Sequence, residues 1–175
     1  MTAKTNDSAE TSRPSHTLNS SDDAAKKRER CGLLLARAGA RLLGVLADES
    51  EGLTGWRTPT PLPRAPLAVL GVVSVRGRML TILDPLALLG EGRADNAPTP
   101  NSILALRGDE QLALAVDQVE EVIEIFADEV EPLVDGTDGI VRGILRREQG
   151  PVTVLNVREL FAAAMQGEER RRRRF

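Results

Sequence analysis

One cysteine, one histidine, no tyrosine, one tryptophan and three phenylalanines in 175 residues leave little material for reactive or stacking sites. Cys31 has no second cysteine to pair with, so no disulfide framework exists within the chain. The lone His16 stands in a polar stretch without a ligand cluster, which removes zinc sites and Ser-His-Asp or Cys-His catalysis together. Phosphate-cradling loops of the G-x-x-x-x-G-K-[ST] or G-x-G-x-x-G type are missing, the nearest string being GEGRAD at Gly90 in a polar linker. The longest apolar stretch, Leu67 to Val73, is far shorter than the ~20 residues of a bilayer crossing, and the start MTAKTNDSAE lacks a basic-then-apolar signal pattern. A cytoplasmic protein that is not an enzyme and holds no metal or cofactor is the expectation.

What is there is unevenly charged. The net charge is -3, yet residues 1–30 carry six basic against five acidic side chains and 168–175 carry five against two, leaving -7 for the body 31–167. Residues 1–30 hold six apolar side chains, four of them alanine, too few to offset their ordering entropy, so a disordered tail is expected there. A second, basic tail is expected over 168–175.

Between the tails, short β-prone runs recur: LLLARA from Leu33, LLGVLA from Leu42, LAVLGVVSV from Leu67, MLTIL from Met79, SILAL from Ser102, QLALAV from Gln111, EVIEI from Glu121, GIVRGIL from Gly139 and PVTVL from Pro151. Gly39, Arg76-Gly77, Arg107-Gly108-Asp109 and Gln149-Gly150-Pro151 punctuate them, implying four hairpins. The segment Gly90 to Pro100 reads as a surface loop joining two halves. The pattern predicts an all-β sandwich or barrel.

The chain also repeats itself at an offset of 72 residues. Gly71 falls on Gly143, and MLTILDPLALL from Met79 falls on PVTVLNVRELF from Pro151, with identities at Thr81/Thr153, Leu83/Leu155 and Leu88/Leu160. Each copy ends a strand at a helix cap: Asp84 with Pro85 in the first turn, Asn156 with Glu159 as a capping box. A duplicated strand-turn-strand-helix unit is the expectation. The remaining carboxylates read as structural: Asp117 as a turn residue, and Glu120, Glu121 and Glu124 as the solvated side of a strand edge.

The run LPRAPLAVLGVVSVRGRMLTILD, Leu62 to Asp84, resembles the signature stretch of CheW-like domains, the coupling proteins of bacterial chemotaxis arrays. LALAVDQVEEVIEI, Leu112 to Ile125, resembles the family's VDxVxxV segment, and GIVRGILRREQGPVTVLNVRELF its closing hairpin and helix. Order and spacing agree, so the resemblance spans about residues 32–165. It implies two interlocked five-stranded SH3-like β-barrels with short helices, over a domain taken as 31–167. It also implies a non-catalytic adaptor at chemoreceptor clusters, bridging the tip of a methyl-accepting chemoreceptor and the regulatory domain of a CheA-type histidine kinase. Arg76, Val75, Gly71, Val116 and Val119 are the expected receptor contacts, with burial the competing reading for the two late valines. Gly71 and Gly77 are expected to serve backbone geometry more than binding.

One departure stands out. Where the family carries V-x-E-[VI] on the strand facing kinase and receptor, this chain has Ser50-Glu51-Gly52-Leu53. Ser50, Gly52 and Leu53 are therefore the expected kinase-side positions, of which only Leu53 keeps its character. A one-residue slip would bring Glu51 into the carboxylate's place, but would turn each neighbour to the opposite face. The rival reading is a small β-barrel nucleic-acid-binding protein using Arg170, Arg171, Arg172, Arg173 and Arg174 on phosphates or an acidic surface. The acidic body and its three aromatics, Trp56, Phe126 and Phe161, argue against it. Trp56 itself reads equally as core filler or as an exposed anchor.

Overall fold

The computed structural model describes residues 28–92, 99–133 and 139–165. Eleven strands make up most of it: β1 (Arg30–Ala38), β2 (Arg41–Leu46), β3 (Ser50–Gly55), β4 (Val69–Val75), β5 (Arg78–Leu83), β6 (Ser102–Leu106), β7 (Leu112–Val116), β8 (Gln118–Phe126), β9 (Val130–Glu131), β10 (Val141–Arg147) and β11 (Gly150–Leu155). One short helix, α1 (Pro85–Leu88), follows β5, and residues 160–165 are helical. β1 already pairs Arg30 with Phe126, so the sheet begins on the last residue assigned above to the tail; residues 1–27 lie outside the described residues.

The strands form two sheets, ordered β8-β1-β2-β11-β10-β9 and β3-β6-β7-β5-β4. All four expected hairpins are present, β1–β2, β4–β5, β6–β7 and β10–β11. Each sheet joins the first hairpin of one half-chain to the second hairpin of the other through a parallel pair: β2 against β11 in the first, β5 against β7 in the second. The barrels are interlocked for that reason. The six-strand order arises because the 3-10 turn Ala127–Glu129 divides β8 from the two-residue β9. In the five-stranded sheet the matching segment is reduced to the single bridge Thr60↔Val72.

The 72-residue repeat acquires a physical cause. Both β4 and β10 have a bulge at the repeated glycine, between Val69 and Gly71 and between Val141 and Gly143. A Cβ at Gly71 would lie 2.2 Å from the Thr60 carbonyl oxygen, and one at Gly143 would lie 2.4 Å from that of Glu131. In each barrel the preceding strand crosses directly over a backbone that has no side chain. The sequence contains a further sign of the duplication: Ala-Asp-Glu occurs at 47–49 and 127–129, and both copies form a 3-10 turn after a strand.

Three apolar clusters follow from the alternation of the strands. Leu33, Leu35, Ile125, Val152 and Val154 fill the six-stranded barrel, and Val73, Leu80, Ile82 and Ile103 fill the other. The third, with Leu43, Leu83, Leu104, Leu114, Leu155 and Leu160, lies between the barrels and draws on both. Asp84 caps α1 as expected, accepting from the Leu86 N–H at 3.0 Å with Pro85 in the first turn. The Asn156–Glu159 capping box does not form. The chain enters a 3-10 turn there, and the Glu159 N–H donates to the Asn156 main-chain oxygen at 3.1 Å instead of to its side chain.

Candidate functional site

β3 is an edge strand, and its pairing with β6 slips: Ser50 faces Leu106 and Gly52 faces Ala105, leaving Glu51 as the extra residue of a bulge. The bulge is confined to that one residue, and the strand beyond it pairs in register from Gly52 to Gly55. The Glu51 carboxylate reaches across the barrel mouth to the Arg78 guanidinium at the start of β5. Between this pair opens a notch of about 100 Å³, with Leu53, Val75, Leu80 and Ala105 on its apolar walls.

Gly52 lines the notch on one side and Arg76 on the other. Arg76 occupies the first position of a two-residue turn with φ 51°, followed by Gly77 at φ 81°, the pair of left-handed residues that a type I′ hairpin requires. A β-carbon makes this conformation costly, and asparagine or glycine would be the local preference. Arg76 is exposed, and its guanidinium has no ion-pair partner among the described residues.

The structure thus brings together residues that the sequence reading divided between two partners. Gly52 and Leu53, expected on the kinase side, and Val75 and Arg76, expected on the receptor side, share one opening. Leu53 is half exposed, at 50%. Ser50 is turned away from this role, its hydroxyl donating to the Ala47 carbonyl at 2.9 Å and closing the 3-10 turn Ala47–Glu49. Gly71 is buried beneath Thr60 and offers no surface.

One of the expected receptor contacts is corrected by burial. Val116 is 0% exposed in the core between the barrels, where no partner reaches it. Burial, the competing reading, holds for Val116; Val119 packs against the same cluster but keeps part of its surface exposed. Trp56 is half-buried against the interior of the five-stranded barrel, and its main-chain N–H donates to the Asn101 carbonyl at 2.9 Å. Missed altogether were Arg78, Leu80 and Ala105; the Arg-Gly-Arg string around Gly77 is the only signal that pointed toward Arg78. Arg170 to Arg174 and His16 lie outside the described residues.

Carboxylates elsewhere hold the scaffold. The Gly39 N–H donates to Asp117 at 2.6 Å, which ties the β1–β2 turn to the point where β7 passes into β8. On β8, Glu120 pairs with Arg37 at 2.5 Å, Glu121 with Arg147 at 3.2 Å and Glu124 with Arg30 at 4.0 Å. Glu49 pairs with Arg142 at 2.8 Å, linking the first 3-10 turn to β10. Arg41 and Glu91 pair between the two barrels; the guanidinium holds the Glu91 carboxyl below its usual range. Burial, followed by the nearby Glu29 and Asp48 carboxylates, pushes the Cys31 thiol up, the opposite of what a nucleophile needs. Among the described residues no group of three His, Cys, Asp or Glu side chains could hold a metal, and no helix is long and apolar enough to cross a membrane.

The described residues thus form two interlocked barrels with an apolar notch beside an arginine that has no ion-pair partner among them. The family model of the CheW-like domain matches residues 32–165. The chain belongs to the CheW-like domain family. A chemotaxis protein CheW of Rhizobium meliloti (strain 1021) is 30% identical over 113 residues, covering 62% of this chain and 73% of the relative. Protein FrzA of Myxococcus xanthus is 27% identical over 148 residues, covering 82% of this chain and 92% of the relative. The crystal structure of the scaffolding protein TtCheW from Thermoanaerobacter tengcongensis superposes with a TM-score of 0.67 at 21% identity, covering 76% of this chain and 93% of that one. The CheW-like fold is therefore shared over most of the described chain, and chemotaxis signalling is the setting of the named relatives.

Proposed function

We propose that this chain is a non-catalytic adaptor that bridges the cytoplasmic tip of a methyl-accepting chemoreceptor and the regulatory domain of a CheA-type histidine kinase. The observation that carries the reading is the notch between β3 and the β4–β5 hairpin, where an unpaired Arg76 overhangs exposed apolar walls. A protein that works by holding partners needs such a surface, because a desolvated anchor ringed by a few charges supplies most of the binding energy of an interface.

The opening is a compact notch, not an extended groove. A receptor helix docks through side chains repeated along a groove, whereas a folded domain can hold through one central anchor. The notch accordingly falls to the kinase domain, and Arg76 and Val75 join Gly52 and Leu53 in that role. The bulge supports this assignment: Glu51 supplies at the rim the carboxylate that Gly52 lacks. The receptor takes a different surface, so both can be held together.

Titrating the full chain with a receptor cytoplasmic fragment and, separately, with a CheA-type regulatory domain tests the reading. Both are expected to bind, and Arg76→Glu is expected to weaken the kinase domain tenfold or more while leaving the receptor fragment unaffected. Binding of neither by the wild-type chain would sink the adaptor proposal.

A further inference from the structure

We infer that the notch selects one aliphatic side chain of its partner together with a neighbouring carboxylate; the identity of that partner rests on the function proposed above. The walls are leucine, valine and alanine side chains with no aromatic ring to stack on, and the notch of about 100 Å³ seats an aliphatic group against them. Burying that one group is the whole apolar contribution the opening can make.

The rim supplies the second half of the specificity. Glu51 and Arg78 neutralise each other, which leaves Arg76 as the uncompensated charge, so the rim as a whole is +1. A carboxylate beside the aliphatic group would pair with that guanidinium in a two-pronged, charge-assisted contact, and a lysine there would be repelled. The left-handed backbone at Arg76 strengthens the assignment. A side chain kept in a conformation that favours glycine or asparagine, and given nothing to hold within the described fold, has its use outside the fold.

Gly52 provides a clean plug. A Cβ there meets nothing within 4 Å and its φ lies outside the left-handed region, so Gly52→Leu fills the opening without straining the backbone. Three capped dipeptides serve as probes at millimolar concentration, followed by amide chemical shifts: N-acetyl-Leu-Asp amide, N-acetyl-Phe-Asp amide and N-acetyl-Leu-Lys amide. The first is expected to move the Gly52, Leu53 and Arg76 amides, the other two at least threefold less, and none of them in Gly52→Leu. In parallel, Gly52→Leu is expected to weaken a CheA-type regulatory domain tenfold or more while Gly52→Ala retains binding, with unchanged melting for both. Equal response to all three dipeptides, no response at the notch, or undiminished dipeptide shifts in Gly52→Leu would overturn the inference. A selective dipeptide response without any binding of the kinase domain would uphold the ligand class and remove only the proposed partner.

Discussion

The β4–β5 and β10–β11 hairpins descend from one pattern and differ at their tips. Each has a glycine under a crossing strand, and each leads into a helical turn that packs between the barrels. At the tips the likeness ends. The first turn is Arg76-Gly77 with both residues left-handed; the second is Glu148-Gln149, followed by Gly150 at φ 120°. The first exposes an unpaired arginine above a notch, whereas Arg146 and Arg147 near the second tip are engaged by Glu131 and Glu121. What recurs between the copies is what the backbone cannot do without, and what diverged is the tip at which the proposed partner docks.

The largest effects should come from the shared element. Gly71→Ala and Gly143→Ala both drive a methyl into a carbonyl oxygen, and each is expected to cost about 3 kcal/mol or more in chemical denaturation. Gly71 should suffer more, since its φ of 136° adds backbone strain to the overlap. A mild effect at Gly143 beside a severe one at Gly71 would show that the second barrel tolerates movement of β9, and the symmetry of cause would fail.

Next comes the core that the two hairpins share. Val116→Ala should cost about 2 kcal/mol through the cavity it leaves, with partner affinity unchanged when measured below the transition. A selective loss of receptor binding at full stability would return Val116 to the surface role that its burial removes. Arg76→Asn then separates the tips by sign. Asparagine suits the left-handed turn, so melting should hold or rise, while kinase-domain affinity falls tenfold or more, about 1.4 kcal/mol. Loss of stability together with affinity would mean that the arginine serves the hairpin rather than a partner.

These contrasts also explain what could be read from the chain beforehand. The nine apolar runs marked nine strands because each buries at least one face, and β2, β7 and β11, lying between a barrel interior and the inter-barrel core, bury both and read as continuous apolar runs. β3 was seen only through the family pattern and β9 not at all, since Ser50-Glu51-Gly52 and Val130-Glu131 lie at edges with little to bury. The Gly71/Gly143 repeat was visible as letters; its cause, a strand crossing overhead, is a long-range contact that no local pattern encodes. The notch was invisible for the same reason. It joins β3, β5, β6 and the Arg76 turn, and it depends on a bulge whose extra residue is fixed by pairing with a strand some fifty positions away. Val116 misled because a valine beside a turn carboxylate such as Asp117 looks the same in sequence whether the bend there faces solvent or the other barrel.

The smallest expected effect concerns how the barrels are held to each other. Arg41 begins β2 in the six-stranded sheet, and Glu91 follows α1, which continues from β5 of the five-stranded sheet, so their ion pair spans the barrels. Both side chains are about two-fifths exposed, and solvent screening keeps such a pair below about 1 kcal/mol. Its pH dependence has a definite sign. Because Arg41 lowers the Glu91 pKa, the stabilisation is present above the unfolded carboxyl value of about 4.3 and is lost as the pH falls through the folded value. The melting difference between wild type and Arg41→Ala should therefore be small at neutral pH, shrink on acidification below about pH 4, and shrink also with added salt. A difference that grew on acidification would assign Arg41 a role independent of the Glu91 charge, and the barrels would then be joined by their shared apolar core without help from this pair.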